Sequence, residues 1–342
     1  MSEKYFQKAE EHRNRAEYDR AIVFYNKALE ASKKKSDISG MLDCCLSLAD
    51  TFRAKGDFIK AKSMYTEGLN LAEALDDRAS EADALSGLGL SMRALGDWGR
   101  ALDLIGKAHK LYKTLEDRKG EAFSLWAKAG TYRIKGDIKQ AVKTYHASLE
   151  MFRALKDRAG MAYSYCGLGG SSRVASRSGD SERYYKMANR MFGRLNDRFG
   201  LAYSFCGLGN ARRMNGDYRN ALTYFKKAEA LYRKIGDRVS YAYTLWSVGT
   251  TYKMLGEMNR ALAGFRESAE FFRQTKDPRG KIYCVLGTGE VDYLCGKGGK
   301  AEKAYSGALR DAERYGFKVE KGYAETLLKA CKQGERIPFN LP

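Results

Sequence analysis

Apolar and small residues recur along the chain at intervals of three and four. In Gly160-Met161-Ala162-Tyr163-Ser164-Tyr165-Cys166-Gly167-Leu168-Gly169 and in Ala221-Leu222-Thr223-Tyr224-Phe225-Lys226-Lys227-Ala228 this spacing gathers them on one side of a helix. Short polar pairs punctuate the pattern. Gly-Asp falls at Gly56-Asp57, Gly96-Asp97, Gly136-Asp137 and Gly216-Asp217, and Gly256-Glu257 continues the series. Asp-Arg falls at Asp77-Arg78, Asp117-Arg118, Asp157-Arg158, Asp197-Arg198 and Asp237-Arg238. Alanine falls at Ala61, Ala101, Ala141, Ala221, Ala261 and Ala301. All three series advance by forty residues, so each unit reads as two helices joined by a turn. Gly suits the left-handed residue that closes a first helix, and Asp caps the next helix by accepting a backbone N–H.

Tyr165, Leu168 and Gly169, and again Phe205, Leu208 and Gly209, resemble the opening of the tetratricopeptide repeat consensus. Tyr132, Gly136, Asp137, Ala141 and Tyr145 fit its remainder. The resemblance covers nearly the whole chain. It implies an all-α fold, a right-handed superhelical solenoid of about eight antiparallel helix-turn-helix repeats with a C-terminal capping helix. The usual unit is about 34 residues, so each helix here should be nearly one turn longer. The forty-residue step with D-R-x-G between units looks most like spindle-orientation adaptors of the Pins type.

A single solenoid is expected over 1–332. Its units are approximately 1–36, 37–76, 77–116, 117–156, 157–196, 197–236, 237–276 and 277–316, followed by a capping helix over 318–332. Residues 333–342 form a tail containing Ile337-Pro338-Phe339. The end units are worn, with Ala16-Glu17 and Gly296-Lys297 in place of Gly-Asp. Unit five departs inside the array. Ser176-Arg177 replaces Gly-Asp, Gly179-Asp180 follows three residues late, and Ser181 replaces the packing alanine. A looser turn or a local bend is expected there.

Composition narrows the function. Lys and Arg number 61 against 42 Asp and Glu, a formal charge of +19 that favours anionic partners. The first residues are polar, with no apolar signal core, and no apolar run is long enough to span a membrane. Seven cysteines with no C-x-x-C pair fit reduced thiols in a cytoplasm. His12, His109 and His146 lie in different units without metal-ligand neighbours. Gly167-Leu168-Gly169-Gly170 and Gly207-Leu208-Gly209 lack the flanking strand and G-K-[ST] of a phosphate loop, and close helix approach explains them better. No catalytic residue, metal or cofactor is expected.

In this family the first helices line a concave groove, and the resemblance maps groove positions unit by unit. One column reads Asp43, Asp83, Phe123, Tyr163, Tyr203, Tyr243, Tyr283; three residues on come Leu46, Ser86, Trp126, Cys166, Cys206, Trp246, Leu286. Four further come Asp50, Leu90, Gly130, Gly170, Asn210, Thr250, Glu290, and three beyond these Arg53, Arg93, Arg133, Arg173, Arg213, Lys253, Tyr293. Offsets of three and four keep one helix face. The last column is a basic ladder, and small residues beside it leave room for a ligand backbone. The expected site is therefore Arg93, Arg133, Arg173, Arg213 and Lys253 with Tyr163, Tyr203, Tyr243, Trp126, Trp246 and Asn210, strongest in units four to seven. Arg binds carboxylates bidentately, and Tyr adds apolar contact with a polar tip. The expected role is a scaffold or adaptor holding an extended acidic segment of a protein partner. Single-stranded nucleic acid is the alternative, because basic tracks with aromatics also bind it. Self-assembly or sensing of a small ligand is a third.

Overall fold

The computed structural model describes residues 2–15, 17–335 and 340; Ala16 and the Ile337-Pro338-Phe339 segment lie outside them. Among the described residues there are seventeen α-helices and no strand. The first helices of the hairpins are α1 (Ser2–Asn14), α3 (Ile38–Lys55), α5 (Arg78–Ala94), α7 (Arg118–Lys135), α9 (Arg158–Val174), α11 (Arg198–Met214), α13 (Arg238–Met254) and α15 (Pro278–Leu294). Their partners are α2 (Tyr18–Lys34), α4 (Phe58–Ala74), α6 (Trp98–Thr114), α8 (Ile138–Ala154), α10 (Ser178–Leu195), α12 (Tyr218–Ile235), α14 (Met258–Thr275) and α16 (Gly298–Tyr315). The last helix, α17 (Lys318–Gln333), packs on α16 and on α15.

The punctuation residues end and start helices as their chemistry dictates. Gly56, Gly96 and Gly216 close first helices at φ +82°, +94° and +79°, a region open to glycine and strained for most side chains. The following Asp57 and Asp97 accept from the N–H groups of Lys60 at 3.2 Å and Arg100 at 3.0 Å. Between units, Asp77 accepts from Ser80 N–H at 3.1 Å and Asp197 from Gly200 N–H at 2.8 Å. Each such cap is worth about 0.5–2 kcal/mol. Asp137 is the exception. It makes no cap bond and instead meets Lys135 at 2.9 Å and Lys318 at 3.2 Å.

Unit five corrects the expectation of a looser turn. Ser176 takes the left-handed conformation at φ +58°, and Arg177 N–H bonds Ser172 O at 2.8 Å, as Asp57 N–H bonds Phe52 O. Gly179-Asp180 lies inside the first turn of α10, so the late pair is helix and not turn. Ser181 fills the alanine slot, fully buried, with its hydroxyl unpartnered.

The core lies between the two helix layers. The six phase-locked alanines are all 0% exposed, and four residues after each comes a buried ring or aliphatic side chain: Tyr65, Ile105, Tyr145, Phe225, Phe265, Tyr305. Burying such a side chain contributes about 1.5–3 kcal/mol. The mid-helix glycines exist for these rings. A Cβ on Gly207 would lie 2.2 Å from Tyr185 Cε1, and one on Gly169 2.9 Å from the other edge of the same ring. Tyr185 is thus clasped between its own hairpin and the next one.

Successive first helices pack on one another, and successive second helices do not pack in this way. The array therefore curls with the first helices inside. It curls far enough to meet itself. Trp98, at the turn of unit three, donates Nε1–H to Tyr315 O at 2.9 Å and packs on the cluster containing Phe317. Tyr18 packs beside Ile235 and Tyr241, and Lys318 reaches Asp137. These contacts form a seam between early hairpin turns and late inter-unit loops.

Candidate functional site: an arginine ladder inside the superhelix

Each ladder cation sits in the last turn of its first helix, one or two residues from the end, where the next unit packs alongside. The cation of one unit accordingly lies on the first helix of the next. Arg93 donates to Ala127 O at 3.3 Å and lies 6.0 Å from the centroid of the Trp126 ring. A Cβ on Gly130 would come within 2.5 Å of Arg93 Nη1, and one on Gly170 within 3.8 Å of Arg133 Cζ. Arg213 lies 5.8 Å from the Trp246 ring centroid. Lys253 reaches Glu290 on the next first helix at 2.5 Å.

The ladder divides by how its charge is met. At one end, Arg53 donates to Asp50 at 2.9 Å and to the Tyr65 hydroxyl at 3.1 Å. Burial works against ionisation of Asp50, but Arg53 and Tyr65 outweigh it and hold its carboxyl below the usual range. At the other end, Lys253 and Glu290 are each 1% exposed and paired. Arg213, fully buried, donates to Asn210 Oδ1 at 3.2 Å and to Asn340 Oδ1, while Asn340 Nδ2 donates back to Arg213 O at 2.8 Å. Between these ends stand Arg93, Arg133 and Arg173. Among the described residues no carboxylate pairs with any of the three. The Nε atoms of Arg133 and Arg173 are buried and make no hydrogen bond. Burial pushes the Arg93 guanidinium down to about 10, with Arg133 and Arg53 adding like charge. Burial likewise pushes Arg213 down to about 9, with Arg173 adding to it. An arginine so placed stays charged at neutral pH.

The other expected site residues are present on the inner side but otherwise engaged. Tyr163 donates its hydroxyl to Asp197 at 2.7 Å and meets Phe192 edge-on, and Tyr243 does the same with Asp277 at 3.0 Å and Phe272. These two tyrosines brace the cap of the following unit. Tyr203 stacks on Phe199 with ring planes 7° apart. Trp126 donates to Tyr163 O at 3.3 Å, and Trp246 to Tyr283 O at 3.0 Å, tying neighbouring first helices. Asn210 is buried under Arg213. The under-neutralised stretch lies over units three to five, where Arg93, Arg133 and Arg173 are partly exposed.

Two features escaped the column reading. The hydroxyls of Tyr145 and Tyr185 reach the floor of the ladder, 3.2 Å and 3.3 Å from Cβ atoms built on Gly130 and Gly170. Their signal was present, since Tyr stands where Phe225 and Phe265 stand in later units. Arg279 pairs with the buried Glu320 at 2.6 Å, tying α15 to α17. It lies outside the ladder column, and no repeat position announces it. Among the described residues no group of three His, Cys, Asp or Glu could hold a metal, and no helix is long and apolar enough to cross a membrane.

Comparison with known proteins agrees with the architecture. A Tetratricopeptide repeat family model matches residues 42–114 and 200–274, and a second Tetratricopeptide repeat model matches residues 3–35. No curated protein sequence matches the chain. A Rap protein complexed with competence and sporulation factor has a similar structure, with TM-score 0.64 over 98% of this chain and 99% of that one at 14% identity. The Rap conjugation gene regulator of plasmid pLS20, in complex with a Phr peptide, gives TM-score 0.70 over 83% of this chain and 77% of that one, also at 14% identity. A signal-transduction ATPase with a tetratricopeptide repeat sensor, from Pyrococcus horikoshii, gives 0.52 over 97% of this chain and 50% of that one at 17% identity. Likeness at these identities concerns the fold.

Proposed function

We propose, from the premise that the chain is built of tetratricopeptide repeats, that it is a non-catalytic scaffold whose inner face binds an extended acidic segment of a protein partner. The observation that carries this reading is the run of Arg93, Arg133 and Arg173, three inward cations in successive units with no carboxylate partner among the described residues. The three side chains are partly exposed, and the Nε atoms of Arg133 and Arg173 are buried without a hydrogen-bond partner, so a counter-charge can reach them and has an unused donor to meet. A bound carboxylate supplies that counter-charge, at about 1.5–3 kcal/mol per charge-assisted hydrogen bond. Two supports are indirect. Solved structures of the same fold include complexes with a peptide and with a sporulation factor. The forty-residue step shared with spindle-orientation adaptors fits an adaptor role.

The test is a titration of a fluorescein-labelled peptide rich in Asp and Glu against the full chain and against Arg133→Gln/Arg173→Gln. The double variant is expected to bind at least about tenfold more weakly, with helicity unchanged, since two charge-assisted bonds are lost. Equal binding by both proteins would refute the reading. So would tighter binding of a single-stranded oligonucleotide with a steep salt dependence, which is the signature of phosphate contacts.

A further inference from the structure

The ladder carries information about the spacing of the acidic groups it takes, not only their sign. Three residues before each ladder cation, on the same helix face, stands the side chain able to satisfy it from within. In unit two this is Asp50, bonded to Arg53 at 2.9 Å. In unit six it is Asn210, bonded to Arg213 at 3.2 Å. In units three, four and five the same position holds Leu90, Gly130 and Gly170, none of which has a side-chain acceptor. The internal acceptor is thus missing in the three consecutive units whose guanidiniums have no carboxylate partner. Gly170 also clears the floor, whereas over Gly130 the Arg93 guanidinium itself lies 2.5 Å from a built Cβ. The nearest atoms around a Cβ on Gly170 are the Tyr185 hydroxyl at 3.3 Å and Arg133 at 3.8 Å. An acceptor arriving there meets Arg donors and a Tyr O–H with no side chain between.

The first helices α5, α7 and α9 pack directly on one another in succession. Packed helix axes lie about 8–10 Å apart. A peptide in the polyproline II conformation advances about 3.1 Å per residue with three residues per turn, so every third side chain faces the same way and three residues span about 9 Å, one helix spacing. We infer that the bound segment presents three carboxylates at every third residue, one each to Arg93, Arg133 and Arg173, with its backbone over Gly170. Adjacent acids would crowd one guanidinium, and in that conformation acids on alternate residues would face different sides of the segment. This inference rests on the proposed binding of an acidic segment and specifies its register.

Three fluorescein-labelled peptides of equal length, composition and charge test it, with three Asp placed every third residue, on alternate residues, or side by side. The every-third peptide is expected to bind the full chain at least about tenfold more tightly than either isomer, the loss of one charge-assisted bond or more. If all three bind equally, the register is wrong while binding of acidic segments survives. If none binds, the underlying reading falls with it. Gly170→Asn supplies the acceptor that Asn210 supplies in unit six, without adding charge. It is expected to weaken the every-third peptide about tenfold and to narrow its advantage over the isomers. Circular dichroism and melting must match the parent. Should Gly170→Asn melt early, Arg173→Gln serves instead and must narrow the same advantage. Unchanged preference in a folded variant overturns the inference.

Discussion

Lys253 on α13 meets Glu290 on α15 at 2.5 Å with both side chains only 1% exposed, joining the first helices of neighbouring units through a fully desolvated ion pair. Removing one partner leaves the other buried without its counter-charge. Glu290→Ala is expected to destabilise the chain by about 3–5 kcal/mol. Lys253→Met/Glu290→Leu removes both charges and is expected to recover most of that loss. Denaturant unfolding checks both, and equal damage by the single and double variants would show that packing, not charge, matters at this contact.

The caps between units predict an acid dependence. Asp77 has its carboxyl held below the usual range, first by the Ser80 N–H and then by the Ser80 hydroxyl. A carboxyl with a depressed folded pKa stabilises fully above its unfolded value and loses that contribution as pH falls through the folded value. The window therefore lies below the ordinary Asp value of 3.8. Asp77→Asn keeps a capping acceptor without the titration, so it should lose less stability than the parent on acidification. Asp77→Ala should lose about 1 kcal/mol at neutral pH. Stability curves from neutral pH to pH ~3 distinguish the three proteins.

The clasp around Tyr185 reverses an ordinary helix preference. In a free helix Gly→Ala gains about 1 kcal/mol. At Gly207 the new methyl would meet Tyr185 Cε1 at 2.2 Å, and overpacking of this kind costs about 1–3 kcal/mol. Gly207→Ala should therefore lower the melting temperature, and Tyr185→Leu in the same chain should relieve part of the loss. A Gly207→Ala protein at least as stable as the parent would mean that the ring moves aside freely.

The seam can be opened at one residue. Trp98→Phe keeps most of the packing on the Phe317 cluster and loses the bond to Tyr315 O, a change of about 1 kcal/mol. Trp98→Ala loses both. Amide exchange at the end of α16 and the start of α17 should rise modestly in the first variant and strongly in the second, with units five and six unaffected. Uniform acceleration along the chain would place the seam's effect on global stability instead.

The helices, their turns and the ladder were legible because each is written once per unit in a fixed phase. Ser176 was misread because a left-handed residue need not be glycine; Ser36, Asp76 and Glu116 adopt the same conformation between units. Tyr163 and Tyr243 bond Asp197 and Asp277 thirty-four residues on, in a series of the same step, so that pairing was open to inspection. The seam was not legible. It depends on how far each unit rotates against the last, a small angle accumulated over several repeats, and no single residue encodes it. The burial of Arg213 against Asn340 and of Lys253 against Glu290 could not be read from their columns either.

Trp98 and Tyr315 touch although 217 residues of chain separate them. In an open repeat array every contact is local, so folding can start anywhere and spread from neighbour to neighbour. Here the last contacts require a loop of most of the protein to close, and they form only after the intervening units hold the correct pitch. Loop-closure entropy rises slowly with length, so the equilibrium penalty is modest, while topology weighs on rate. The chain should therefore fold in two kinetic stages, a fast one in which hairpins stack and a slower one in which the coil closes.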